Sequence, residues 1–349
     1  MRILVTGATG NVGTRVMDAL SNDPAVDSLV GVARRAPDVV APGTEFVTAD
    51  VADGELEPLL RGVDVVIHLA WLIQPGRDER VTERVNVQGS RRVLQAAVRA
   101  GVGAIVYASS VGAYAPGPKD RAVDEAWPVT GIQSSFYSRH KAAVERLLDT
   151  VEREHPEMRV VRLRPGLIFQ RAAATEIRRL FIGPLLPGAL VHPALIPVVP
   201  DHPRLRVQAV HGDDVADAYR RAAISDARGP FNIAADPVLD GPVLARLLGA
   251  RTVPVSPRVL RGAAALSYRL RLQPTEPGWL DLALGVPLLD SGRARDELGW
   301  TPRVSATDAL QQLLDGLRTG ADGPTPPLAA STTGPFRVRE LLTGVGRRQ

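Results

Sequence analysis

The chain contains no cysteine in its 349 residues, which excludes disulfides, thiolate nucleophiles and zinc–thiolate sites. That accords with a reducing compartment, and a cytoplasmic protein is the expectation. Long apolar runs are missing too. Ile3-Leu4-Val5 is far short of a signal-peptide core, and the most apolar later stretch, Ala189–Val199, is broken by Pro193 and Pro197. No membrane partner is therefore expected. The six histidines show no ligand spacing, so no metal is expected either. Basic residues occur as scattered pairs such as Arg91-Arg92 and Arg220-Arg221, and the net charge is only +4, so nothing calls for a nucleic acid. The scarcest useful residue is lysine. Of 42 Lys and Arg residues only Lys119 and Lys141 are lysine, so Lys141 suggests a need for a compact, tunable ammonium.

What is present is the alternation of short β-branched runs with longer amphipathic ones, which predicts a parallel sheet covered by helices. Strands are expected at Arg2–Thr6, Ser28–Ala33, Thr44–Thr48, Asp64–His68, Ala104–Ala108, Arg159–Arg164 and Pro230–Ile233. Helices are expected near Val12–Leu20, Glu55–Arg61, Asp78–Ala100, Ser134–Arg153 and Asp213–Ile224. From Gly166 to Arg206 prolines interrupt apolar residues, so no regular βα unit fits there. Ser305-Ala306-Thr307-Asp308 resembles a capping box opening a terminal helix. Gly320–Pro335 reads as a linker or tail. The expected organisation is a dinucleotide-binding domain of residues 1–165 and 207–234, a substrate domain of 166–206 and 235–318, and a tail from 319 to 349.

Thr6-Gly7-Ala8-Thr9-Gly10-Asn11-Val12-Gly13 falls between the first strand and first helix. Glycines there allow a tight turn and close approach of a pyrophosphate, and the helix N-terminus offers unpaired N–H groups. The spacing is G-x-x-G-x-x-G. Gly7, Thr9, Gly10, Asn11, Val12 and Gly13 are thus cofactor-binding candidates. The second strand ends in Arg34-Arg35, which favours the 2′-phosphate of NADP, with NAD still open; Asp27 precedes that strand and lies at the wrong edge. Asp50-Val51 and His68-Leu69-Ala70 follow the third and fourth strands, where adenine and ribose would sit. Asp50 is either an adenine partner or a helix N-cap, and His68 is read as structural.

Tyr137 and Lys141 stand one turn apart on an expected helix. A tyrosine is a poor acid–base at neutral pH, and an ammonium one turn away is expected to stabilise its phenolate and hold ribose hydroxyls. A serine at the end of the fifth strand, Ser109-Ser110, can donate to a substrate oxygen. Together with Asn86 in Val85–Gly89, Arg164-Pro165-Gly166, Val210–Val215, Phe231-Asn232-Ile233 and Glu297–Pro302, these motifs resemble the extended short-chain dehydrogenase/reductase family, also called the NAD-dependent epimerase/dehydratase family.

That resemblance implies a Rossmann fold, a doubly wound parallel sheet of about seven strands with a smaller C-terminal mixed α/β substrate domain, and pairing into a homodimer through two long helices. It implies that Ser110 is the catalytic serine, that Ser109 lines the nicotinamide site, and that Pro165 and Ile168 contact the nicotinamide amide. Asn86 is either a proton-relay member or a structural tie. His140 is expected to be solvated, and His211 to satisfy backbone groups. The expected function is an NAD(P)-dependent oxidoreductase acting on a small or medium, rather apolar carbonyl or alcohol, with Ser110, Tyr137 and Lys141 catalytic. Nucleotide-sugar epimerisation or dehydration is the first alternative, with Arg171, Arg178, Arg179, Arg204 and Arg206 as possible diphosphate partners. A non-catalytic, cofactor-sensing binding protein is the second.

Overall fold

A computed structural model describes residues 1–37, 40, 43–74, 77–182 and 196–329. Phe336–Gln349 and most of the Ala189–Val199 stretch lie outside the described residues. The strands in chain order are β1 (Arg2–Thr6), β2 (Ser28–Ala33), β3 (Thr44–Thr48), β4 (Val65–His68), β5 (Ala104–Ala108), β6 (Ala122–Val123), β7 (Arg159–Pro165), β8 (Leu167–Phe169), β9 (Val198–Asp201), β10 (Val207–His211), β11 (Gly229–Ile233), β12 (Ala235–Leu239), β13 (Arg251–Pro254) and β14 (Leu288–Leu289).

Seven of them form one sheet in the order β11-β7-β5-β4-β1-β2-β3, every neighbouring pair parallel. The order reverses between β1 and β4, so the crevice beyond the carboxyl ends of these strands is where such sheets bind ligands. The side-chain period of two divides the core. Ile3 and Val5 pack on one face with Val16, Leu20, Val215 and Tyr219, while Leu4 packs on the other with Val93, Leu94, Val144 and Leu148.

The helices follow from that division. α1 (Asn11–Ser21) buries Gly13, Val16 and Leu20, and α7 (Gly212–Ile224) covers the same face. α2 (Glu57–Leu60), α4 (Ser90–Arg99) and α5 (Phe136–Glu154) cover the other. The single helix expected over Asp78–Ala100 is α3 (Glu79–Glu83) joined to α4 by a wider π-type segment, Arg84–Gly89. Gly101 ends it at φ +70°, the left-handed conformation glycine adopts freely.

Past β7 the structure becomes mixed. It comprises α6 (Ala174–Ile177), a three-stranded β12-β10-β8 sheet, the β13-β9 and β14-β6 pairs, and α8 (Gly241–Leu248), α9 (Pro257–Arg269), α10 (Pro277–Gly285), α11 (Gly292–Leu298) and α12 (Ala306–Thr319). Ser305 caps α12 as its motif predicts: its Oγ accepts from Asp308 N at 3.1 Å and donates to Asp308 Oδ2 at 2.6 Å. The start of the expected tail differs from a linker. Thr325 and Leu328 are buried, and Thr325 Oγ1 donates to Thr9 O at 2.7 Å. Gly and Pro content signals an irregular backbone, which here is packed rather than loose. Among the described residues, no helix is long and apolar enough to cross a membrane.

Candidate active site

The parallel register brings the ends of β1, β2, β3, β4, β5 and β7 to one edge, so loops far apart in sequence meet there. At the first, Gly7 turns with φ +74°, and a Cβ on it would lie 2.8 Å from Ala70 N. A Cβ on Gly13 would lie 2.1 Å from Gly7 O, so the helix can enter this close only as glycine. Gly10 is different: apart from Gly7 O at 3.4 Å, the space beside it is open. It caps α1 without a side-chain bond and no acidic residue occupies the first turn, so the positive helix end faces that space. These features fit a dinucleotide pyrophosphate. Asn11 is less free than expected, because its carbonyl and side-chain oxygens both accept from Gln170 Nε2, while Arg15 Nε holds Gln170 Oε1 at 2.7 Å. Thr9 is buried and Val12 packs on the core.

Arg34 and Arg35 are exposed just past β2. Asp27 sits at the opposite edge, paired with the N-terminal amine at 2.6 Å. Asp50 Oδ1 accepts from Ala52 N at 2.9 Å, bracing its own turn, and Val51 is buried beside Gly89. Leu69 N donates to Thr6 O at 3.1 Å, keeping Leu69-Ala70 close to the glycine turn. His68 bonds Thr6 Oγ1 through Nδ1 (2.7 Å) and Ser90 Oγ through Nε2 (2.9 Å). Burial, with a smaller push from Lys141, lowers its pKa to about 3, so it is a neutral structural group. Asn86 pairs with the backbone of Leu72 in both directions, Nδ2 to O at 2.8 Å and Leu72 N to Oδ1 at 2.7 Å. Its side chain ties the Arg84–Gly89 segment to the loop after β4.

The Ser110, Tyr137 and Lys141 side chains come together at the end of β5. Ser138 Oγ donates to Gly112 O and accepts from Ile132 N at 2.6 Å, fastening the start of α5 to the turn after Ser110. Gly112 lets the phenol ring lie against that turn; a Cβ there would be 2.9 Å from Tyr137 Cε1. Burial pushes the Tyr137 phenol up to about 12, partly opposed by its hydrogen bond with Ser110. Lys141 stands one turn along α5 from that phenol. Its Nζ donates to Ala108 O at 2.6 Å and lies 3.4 Å from the centre of the Trp71 ring, against 5.8 Å from that of Tyr137. Burial drives the Lys141 pKa well below its usual range, against the pull of Glu145.

Several contributors are not evident in the sequence. Trp71 meets Tyr137 edge-on at 5.9 Å, Trp279 lies 4.8 Å from Tyr137, and Phe181 stands edge-on to Trp279 at 4.9 Å. In a chain with 4% aromatics this convergence is pronounced, but only tertiary packing brings residues 71, 137, 181 and 279 together. Ser109, expected to line the nicotinamide site, donates to the buried Glu145 Oε1 at 2.5 Å. Glu145 carried a readable signal, a charge two turns past Tyr137 on the buried face of α5. Pro165 is buried at the end of β7, and Ile168 in β8 pairs with Val210. His140 is buried rather than solvated, edge-on to Phe136 and 3.5 Å from Glu79 Oε1. His211 caps α7, its Nδ1 accepting from Asp213 N at 3.2 Å.

Known proteins resemble this chain over most of its length. An uncharacterised protein of Mycobacterium tuberculosis is 29% identical over 321 residues, which cover 91% of this chain but 30% of that protein. The chain therefore spans less than a third of that relative's length. A UDP-glucose 4-epimerase of Mycolicibacterium smegmatis is 29% identical over 339 residues, covering 91% of this chain and 99% of that one. The crystal structure of a short-chain dehydrogenase/reductase superfamily protein from Agrobacterium tumefaciens with bound NAD superposes with a TM-score of 0.67 at 25% identity, covering 92% of this chain and 98% of its own. With the family model matched over residues 3–234, from the first strand to the end of β11, the chain belongs to the NAD dependent epimerase/dehydratase family.

Proposed function

We propose that the protein is a nicotinamide-dinucleotide-dependent oxidoreductase acting on a small or medium, rather apolar carbonyl or alcohol. The carrying observation is that the Tyr137 ring and Ser110 Oγ both flank Gly112, with Lys141 one turn along, at the sheet edge that also carries the glycine turn. A nicotinamide dinucleotide held at the glycine turn would supply or accept the hydride at the substrate carbon. The chain's own groups handle the oxygen. With its pKa near 12 the phenol is protonated at neutral pH, which suits proton donation to a carbonyl oxygen, and Ser110 donates a second hydrogen bond. Trp71, Trp279 and Phe181 keep water from that oxygen and offer apolar faces to the rest of the substrate. Arg34 and Arg35 favour NADP(H), while the NAD bound by the Agrobacterium protein keeps NAD(H) in play. Oxidation of NADPH and NADH across a panel of ketones and aldehydes tests the reading; no turnover with any would sink it.

Nucleotide-sugar epimerisation is the second reading, favoured by the Mycolicibacterium epimerase, which matches 91% of the chain. Against it, three of the five arginines expected as diphosphate partners are engaged elsewhere. Arg204 Nε donates to Leu284 O (2.9 Å), Arg206 Nη1 to Lys119 O (3.1 Å) and Arg179 Nη2 to Pro327 O (2.7 Å). Incubation with UDP- and dTDP-sugars, with product analysis, separates the two.

A further inference from the structure

α5 sets Tyr137, Lys141 and Glu145 one turn apart on a single face. Glu145 touches neither Tyr137 nor Ser110, yet it is only 1% exposed. Its Oε1 accepts from Ser109 Oγ at 2.5 Å and from Arg164 Nε at 2.8 Å. Its Oε2 accepts from Arg164 Nη2 at 3.0 Å and from Arg162 Nη1 at 3.1 Å. One carboxylate thus joins α5 to the end of β5 and to β7. Well-packed apolar residues often replace such buried ion pairs without loss of stability, so stability alone is a weak reason for this one.

Besides the two arginines it pairs with, Glu145 acts electrostatically on Lys141, one turn back on α5. Around that ammonium lie His68 from β4, Tyr107 from β5 at 5.2 Å, and Trp71 and Tyr137. His68 is neutral and the Tyr107 phenol is pushed far above its usual range by burial, so none of these supplies negative charge. Glu145 does, and Arg164 and Arg162 together with Ser109 keep it ionised despite its burial.

We infer that Glu145 is a positioning residue for the Ser110–Tyr137–Lys141 site: its carboxylate favours the ammonium form of Lys141 against the effect of burial and, through Ser109, Arg162 and Arg164, holds α5 in register with the strand ends. The catalytic consequence rests on the oxidoreductase reading; the effect on Lys141 does not. Removing the charge need not unfold the protein. Arg162 keeps Asp149 and Glu152 as partners, and Arg164 keeps Tyr114 and the carbonyl of Glu125.

The scarcity of lysine makes the test direct. In protein labelled with 13C-lysine there are two side-chain signals, and Lys119→Arg assigns the one from Lys141. Glu145→Gln is expected to lower the titration midpoint of Lys141 by about 1 unit or more, and to move the alkaline limb of the kcat profile to lower pH with it. Glu145→Asp keeps the charge with a shorter reach: the midpoint stays within about 0.5 unit of the parent while kcat falls about tenfold. Ser109→Ala, neutral to neutral, should lower kcat and leave the midpoint in place. An unmoved midpoint in Glu145→Gln overturns the charge role. Unchanged kcat in both Glu145→Asp and Ser109→Ala overturns the positioning role. A shifted midpoint in a protein inert on every carbonyl, alcohol and nucleotide sugar tried would count against the proposed function and leave the role of Glu145 standing.

Discussion

Tyr137 depends on its dry surroundings. Trp71 and Trp279 shield its ring, burial raises its pKa to about 12, and the Ser110 hydroxyl is the contact that moderates this. Such a phenol gives up a proton only in concert with hydride arrival, which makes it an acid for reduction more readily than a base for oxidation at neutral pH. Tyr137→Phe retains the aromatic packing and removes the proton, so turnover should drop by about 10²–10⁴-fold with dinucleotide Kd nearly unchanged. Stopped-flow turnover and a fluorescence titration check the two halves, and equal loss of binding would make the residue structural. Arg34 and Arg35 make a separate prediction, because exposed side chains past β2 matter only if a 2′-phosphate meets them. Replacing both by Ser should weaken NADP(H) about tenfold or more and NAD(H) by less than about twofold. Tighter NAD(H) than NADP(H) binding in the parent protein would remove the preference.

Among the elements, β4 and α5 show how secondary structure turns into site geometry. Strand β4 delivers His68 into the core, where Thr6 and Ser90 bond both ring nitrogens. With a folded pKa near 3 and an unfolded value of about 6.5, the unfolded chain binds the extra proton between those limits. Stability from His68 is therefore full above about pH 6.5 and is lost as pH falls toward 3. Thermal melts across that window should show a decline that His68→Asn makes shallower, at a cost of about 1 kcal/mol or more near neutrality from the altered hydrogen bonds. Equal slopes would mean that other groups dominate. The strands and helices that build the edge were legible because their signals are local: alternation in β1 to β5, Gly101 at a helix end, Ser305–Asp308 at a helix start. The widened Arg84–Gly89 turn was not, since weak helix formers such as Val85, Asn86 and Gly89 do not by themselves distinguish a π-type turn from an α-helical one, and the Asn86–Leu72 pairing beside it forms only on folding.

Across the whole molecule, the segment after α12 returns to the glycine turn. Thr325 bonds Thr9 O, Thr175 Oγ1 donates to Ala321 O at 2.9 Å, and Leu328 is buried. Thr325→Val loses one buried hydrogen bond at similar shape, worth about 1 kcal/mol, and should weaken dinucleotide binding by up to about fivefold. Calorimetric titration would detect this, and unchanged affinity would leave the contact purely structural. Composition indicated none of it, because contacts 316 residues apart leave no periodic trace in the chain.

The motifs alone determined the sheet and the glycine turn, and pointed to the Ser110, Tyr137 and Lys141 set, because backbone sterics and side-chain chemistry at those positions do not depend on distant partners. Tertiary structure decided the rest. It put Lys141 under Trp71, bonded Ser109 to Glu145, buried His140, and set Trp71 and Trp279 against Tyr137 with Phe181 behind. Each of these outcomes depends on burial and on a partner far away in the chain, and both exist only once the chain is folded.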